Sequence, residues 1–153
     1  MSARIILVPE EVQVVPGTPL RAAVDLSDPV ERKRVSPTAI KTFRRITDEK
    51  WALTEAQSLG LLGGIASSTY HSWRTASKGR ELDQDTLTRI SLVIGIYQAL
   101  HGYFSASLAD GWIGYKNRAP MFAGKAPVDF MIQEGIPGML LVRRMLDGWR
   151  VGN

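Results

Sequence analysis

The sequence predicts an all-α protein. Three stretches carry that prediction: Leu53–Arg74, which reads as two short helices around a glycine turn; Leu87–Leu100, with a long apolar stripe; and a C-terminal third in which prolines and glycines separate further amphipathic segments. The organisation read from them is an N-terminal arm over 1–35, a helix-turn-helix unit over 36–80, a linking or dimerising helix over 81–105 and a small helical domain over 106–153.

Residues 1–35 show no helical period, and Pro9, Pro16, Pro19 and Pro29 interrupt any long element. Arg4–Val8 reads as a short strand or as an arm on a partner, and the ERKRV run at 31–35 as a solvated linker or a basic arm on DNA. Partial disorder is expected over this region. Ser36-Pro37 is a helix start, a capping hydroxyl followed by proline at the first helical position. The helix should reach about Lys50, with Ile40, Phe43 and Ile46 (or Thr47) inward and Lys41, Arg44, Arg45 and Lys50 outward. Phe43 and Trp51 are expected to brace Tyr70 or Trp73.

In the next unit, Thr54 can cap a helix whose first turn carries Glu55 and whose inner face carries Leu59, Gly60 and Leu62. Gly63-Gly64 should turn with positive φ. Ser67 or Ser68 can cap a second helix in which Tyr70 and Trp73, three apart, face inward. Ser67, Ser68, Thr69, His71, Ser72 and Arg74 are then left on or near the outer face, and Lys78 follows. Small hydroxyls allow close approach to a DNA groove, and hydroxyl, imidazole and guanidinium groups can meet bases or phosphates. Glycine at 63 departs from the larger apolar residue usual there, and a hairpin serving only as core is the competing reading.

Asp83 or Gln84 should begin the long helix, with Leu87, Ile90, Ile94, Tyr97 and Leu100 as its stripe. Leu92, Val93 and Ile96 widen the stripe, and Gly95 marks a possible close crossing at a cost of ~1 kcal/mol relative to alanine. A short helix is expected over 107–117, with Leu108, Trp112 and Tyr115 inward. Pro127 should restart a helix ending at Gly135, and a last helix should bury Met139, Leu140, Val142, Met145 and Leu146. Gly148–Asn153 reads as a tail, either a frayed end or a probe for a partner's cleft, since Trp and Arg commonly anchor interfaces.

The 153 residues are 44% hydrophobic and 22% charged, ordinary for a soluble globular protein. The N-terminus does not begin as a secretory signal and no apolar run is long enough for a membrane span, so a cytoplasmic location is expected. The chain has no cysteine, which excludes disulfides, thiol catalysis and Cys-ligated zinc. Two histidines, His71 and His101, make a His-based metal site improbable, and His101 is expected as a satisfied core residue. There is neither a phosphate-cradling glycine loop nor a carboxylate cluster with metal spacing, so neither enzyme chemistry nor a cofactor is expected. Of the net charge of +4, residues 36–80 carry seven basic against three acidic side chains. A positive field there suits phosphate binding.

The order of motifs resembles an antitoxin of the Xre/MbcA/ParS class, the partner of RES-domain toxins. SSTYHSW resembles the recognition-helix segment. LDQDTLTRISLVIGIYQALHGYF resembles the linking helix, through TRIS (Thr88–Ser91) and GIYQAL. Asn117, Phe122, Gly124 and Pro127, then Val142–Asp147, resemble the toxin-binding domain and its last helix. The match runs through most of 36–152 and leaves 1–35 aside.

This resemblance implies an Xre-like DNA-binding unit joined to a toxin-binding domain, a homodimer within a toxin–antitoxin complex, and autorepression at promoter DNA. It implies stoichiometric neutralisation of a toxin that consumes NAD or transfers ADP-ribose from it, by covering or entering the toxin's NAD cleft. DNA contacts would fall to Ser67, Ser68, Thr69, His71, Ser72, Arg74 and Lys78. Toxin contacts would fall to Asn117, Phe122, Lys125, Arg143, Arg144, Asp147, Trp149, Arg150, Val151, Gly152 and Asn153. The alternative is a helix-turn-helix regulator whose C-terminal part dimerises or senses a ligand, without a toxin.

Overall fold

The computed structural model describes residues 4–5, 24–75 and 80–151. These residues are mostly helical, as the sequence predicts, with one minimal antiparallel pair: β1 (Arg4–Ile5) lies beside β2 (Val24–Asp25), Arg4 opposite Asp25 and Ile5 opposite Val24.

The first helix corrects the N-terminal boundary. Helix α1 spans Pro29–Arg44, so it starts at Pro29 rather than Ser36. Asp28 caps it, Oδ1 accepting from Val30 N at 2.9 Å, and Pro29 sits where no amide partner is needed. The ERKRV run is thus a turn and more of helix, not a linker: Val35 is buried and Arg32 reaches Glu81 at 3.1 Å. Ser36 is fully buried and no cap; its hydroxyl donates to Arg32 O at 2.5 Å and accepts from Leu82 N at 3.0 Å. Of the two capping-residue-plus-proline signals in the sequence, the earlier one starts the helix and Pro37 is carried inside it.

From Arg45 to Lys50 the helix widens to i→i+5 bonding, Trp51 N reaching Ile46 O at 2.8 Å. Helix α2 (Glu55–Leu61) and helix α3 (Ser67–Thr75) follow, then the long α4 (Gln84–Tyr103). Asp83 caps α4, accepting from Thr86 N at 2.7 Å. Helices α5 (Ala106–Trp112), α6 (Pro127–Glu134) and α7 (Ile136–Val151) complete the described chain.

Helix α4 is the axis. Its Leu87, Ile90, Ile94, Tyr97 and Leu100 are buried as the stripe requires, and Val93, Ile96 and Ala99 are buried as well. It packs on α1 on one side and on α7 on another, while α2 meets α6. The buried apolar residues from Val24 to Leu146 therefore form one cluster through both halves of the chain. No described helix is long and apolar enough to cross a membrane.

Helix α5 is shorter and differently phased than its apolar residues suggest. Ala109, Trp112 and Ile113 are buried, whereas Leu108 and Tyr115 are exposed. Beyond it, residues 117–125 close a compact loop: Lys125 O accepts from Asn117 N at 3.1 Å, and Asn117 O from Gly124 N at 2.9 Å. Helix α7 corrects the tail. It continues to Val151, and the Trp149 ring packs on Tyr103, Phe104 and Trp112 at 5.4, 6.2 and 6.1 Å between centroids. An indole with apolar rings on several sides extends the helix instead of leaving a free end.

Candidate functional site

The candidate site is built by α2, α3 and the second half of α1. Thr54 and Gln57 form a reciprocal cap on α2: Thr54 Oγ1 accepts from Gln57 N at 3.2 Å, and Gln57 Oε1 accepts from Thr54 N at 3.0 Å. The inner face of α2 is centred on Ser58, Leu61 and Leu62, with Leu59 and Gly60 only partly covered. Gly63 and Gly64 end the helix at φ 86° and 81°, as expected of the glycine pair. Their amides return to Gly60 O at 3.0 Å and Leu59 O at 2.8 Å, and α3 can then cross α2 after five intervening residues.

Helix α3 begins at Ser67, so neither Ser67 nor Ser68 stands before the helix as its cap; Ala66 O accepts from Tyr70 N at 3.0 Å. Tyr70 and Trp73 are buried, edge to face at 5.6 Å, as their spacing requires. They fix the rotation of the helix. Ser67, Ser68, Thr69, His71 and Arg74 are consequently exposed, and Ser72 is partly exposed with its hydroxyl donating to Thr69 O at 2.6 Å. Glu55 ties the start of the motif together, accepting from Ser67 Oγ at 3.4 Å and pairing with His71 Nε2. Lys78 lies outside the described residues.

Along the edge of α3 runs α1. The Arg44 guanidinium lies over the Tyr70 ring, 4.6 Å from its centroid. Burial pushes the Tyr70 phenol above its ordinary pKa; the negative field of Asp48 adds to this and Arg44 opposes it. The ring therefore stays neutral at ordinary pH and meets Arg44 as a π-face. Trp51 lies instead against Tyr97, at 6.4 Å, so the bracing of α3 comes from Arg44 and not from a Trp51–Tyr70 ring contact. Between α1 and the end of α3 is an open groove of about 370 Å³ lined by Pro37, Thr38, Ile40, Lys41, Arg44, Trp73 and Arg74.

The described residues of the second sequence-selected set divide between buried and exposed positions. Phe122 is buried between Trp112 and Phe130, at 5.9 and 5.3 Å, so it shapes the core and is not a contact residue. Asn117 orients its loop, Oδ1 accepting from Ala119 N at 2.9 Å. Lys125 is exposed and donates to Gln133 Oε1. Arg143 lies across α4 at Gly95 and donates to Asp147 Oδ2 at 2.9 Å, while Arg144 is exposed. Trp149 is partly buried in the aromatic cluster. Gly152 and Asn153, and the side chains of Arg150 and Val151, lie outside the described residues. His101, partly buried, pairs Nε2 with Asp110 Oδ1 at 2.7 Å and lies 4.3 Å from the Tyr97 ring centroid.

Sequence reasoning passed over two features. Arg89, from α4, lies beneath the Gly63 turn, 3.0 Å from where a Cβ would stand, while bonding Asp85 at 2.8 Å. The α1–α3 groove was likewise unreadable, because it needs the angle between two helices. Among the described residues no cluster of three His, Asp or Glu side chains is placed to hold a metal.

Fold and site together define a mostly helical protein with a small, polar, exposed helix face set on an aromatic core. The chain is 34% identical over 117 residues to the uncharacterized protein y4oB of Sinorhizobium fredii (strain NBRC 101917 / NGR234), an alignment covering 76% of this chain and 87% of that protein. The chain belongs to the family of that protein. No known family profile matches it.

Proposed function

We propose that this protein is a DNA-binding antitoxin: α2 and α3 form a helix-turn-helix that enters the major groove at its own promoter, and the C-terminal half holds a RES-domain toxin. The observation that carries the DNA reading is the orientation of α3. Tyr70 and Trp73 are buried, and the residues turned outward are short hydroxyls, His71 and Arg74, which let the helix backbone come close to base edges. A helix kept only as core has no need of a small, polar, exposed face; the basic excess of the same segment adds to the support.

The toxin reading rests on the family resemblance and gains a changed geometry. With Trp149 packed and α7 helical to Val151, the surface offered to a toxin is the exposed side of α7 with Arg144. Covering the toxin's NAD cleft with such a face replaces insertion of a free tail. The packing of Trp149 also favours the second reading, a regulator without a toxin, over a tail-probe mechanism.

The test is a titration of the full chain against a labelled duplex from upstream of its own gene, alongside Ser68→Glu and Thr69→Glu. Both substitutions place a carboxylate on the exposed face without touching the core. Loss of binding in both, with unchanged thermal unfolding, supports the assignment. Binding as tight as that of the unsubstituted chain would remove α3 from the DNA interface.

A further inference from the structure

The groove between α1 and the end of α3 carries an inference that rests on the DNA reading and goes beyond it. We propose that this groove is a phosphate seat, filled in the DNA complex by a backbone phosphodiester beside the bases that α3 reads.

Both terminal nitrogens of Arg44 are buried, and they meet no hydrogen-bond acceptor. A guanidinium withdrawn from water without a partner is costly, and its π-contact with Tyr70 returns only part of that cost. The chain thus holds a fork of donors with nothing to accept from them, and because both nitrogens are covered, a phosphate entering the groove draws the guanidinium off the Tyr70 ring to reach them. Asp48 and Glu49 line an adjoining recess that shares Lys41 and Arg44 with the groove and adds Arg45, yet neither carboxylate bonds those nitrogens.

On the groove side the lining is of one sign. Lys41 and Arg74 join Arg44, and no carboxylate lines the groove. A tetrahedral oxyanion suits this set: guanidinium groups bind phosphate oxygens in pairs, and an ammonium adds a point charge. A volume of about 370 Å³ with an open mouth admits a phosphate that belongs to a longer strand. Position completes the case. Trp73, which helps set the rotation of α3, forms the groove wall, and Arg74 belongs to both the groove and the exposed face of α3. A phosphate held here fixes the depth and rotation at which α3 meets a duplex, the positioning role that backbone contacts play in DNA recognition.

The experiment uses the full chain with a short labelled duplex of arbitrary sequence, over a salt series from about 50 to 200 mM. Unsubstituted protein is compared with Arg44→Gln, Lys41→Gln, Arg44→Lys and the exposed Lys116→Gln as a control. Losing one phosphate contact should weaken binding about eightfold at about 0.1 M salt and reduce the log–log salt slope by ~0.9. That result is expected for Arg44→Gln and Lys41→Gln, with Lys116→Gln unchanged. Arg44→Lys should keep the slope while losing affinity, because the charge remains and the fork does not. Lys41 is exposed, so its variant remains informative if Arg44→Gln unfolds.

A parallel calorimetric titration with inorganic phosphate separates the sources of the anion. If the duplex binds and neither variant changes affinity or slope, the phosphate seat is overturned while the DNA reading stands. If no duplex binds but inorganic phosphate does, in an Arg44-dependent way, the seat stands for a small phosphorylated ligand and the DNA source is overturned. If neither is bound, both are overturned.

Discussion

Gly95→Ala should stabilise this protein, although space at the site argues against any added atom. Gly95 is buried in the middle of α4, and a Cβ built there would lie 1.9 Å from Arg143 Nη1, 3.1 Å from Cζ and 3.7 Å from Cδ. All three atoms belong to one flexible side chain from α7, and no backbone atom is among them. The methyl group therefore displaces a guanidinium and leaves the helix crossing in place. The loss is the Arg143–Asp147 pair, an i,i+4 contact at 2.9 Å with both partners partly exposed, worth ~0.3–0.5 kcal/mol. The gain is the ~1 kcal/mol by which alanine exceeds glycine inside a helix. The net is a stabilisation of about 0.5 kcal/mol. Urea unfolding of Gly95→Ala, Arg143→Ala and the double variant would measure it. In the Arg143→Ala background the seat is empty and the full ~1 kcal/mol should appear, leaving a coupling of ~0.3–0.5 kcal/mol between the sites. If Gly95→Ala lost more than ~1 kcal/mol in both backgrounds, the limit at this crossing would be backbone approach and the reasoning would fail.

Three further outcomes are expected. The folded pKa of Tyr70 is raised above its unfolded value of about 10, so the contribution is complete below that pH and is lost as pH rises through the folded value; urea midpoints should fall on the alkaline side, and Tyr70→Phe should flatten the fall. Ala123 is exposed at φ 51°, where an L side chain is strained by ~1–2 kcal/mol, so Ala123→Gly should gain up to ~1 kcal/mol after the entropy of an unfolded glycine is subtracted, read as a higher thermal midpoint. Ending the chain at Asp147 removes the Trp149 ring from its aromatic cluster and should cost stability approaching the ~3–5 kcal/mol of a buried Trp→Ala change, measurable by calorimetry.

That last outcome changes how the proposed toxin surface should be tested. A truncation that lowers stability cannot separate a lost contact from a lost fold. Arg144→Glu is the cleaner substitution, because Arg144 is exposed on α7 and reverses sign without touching the core.

The helical class was legible because period and capping agree in this sequence. Thr54, Gly63-Gly64, Asp83 and Pro127 each mark a boundary that the structure contains. Tyr70 and Trp73 were legible for the same reason: three residues apart on a short helix, they must share a side. The failures share a different cause. Ser36-Pro37 and Asp28-Pro29 are equivalent local signals, and the choice between them is settled by Leu82, whose amide bonds the Ser36 hydroxyl across the fold. Leu108 and Tyr115 gave α5 the wrong phase because Ala109 and Ile113, smaller or later in the helix, take the buried positions. Trp149 looked like a free anchor because the rings that hold it come from α4 and α5, far away in the sequence. The groove at Arg44 could not be read at all, since it exists only between two helices.

In the proposed role the chain silences a partner instead of acting on a substrate. The most direct test is NAD consumption by the RES-domain toxin we propose as its partner, titrated with the full chain. Turnover is expected to fall in proportion to added chain and to end at a fixed stoichiometry, with Arg144→Glu shifting the endpoint or weakening it. NAD turnover unaffected by an excess of the folded chain would contradict that role, and would leave a DNA-binding regulator without a toxin.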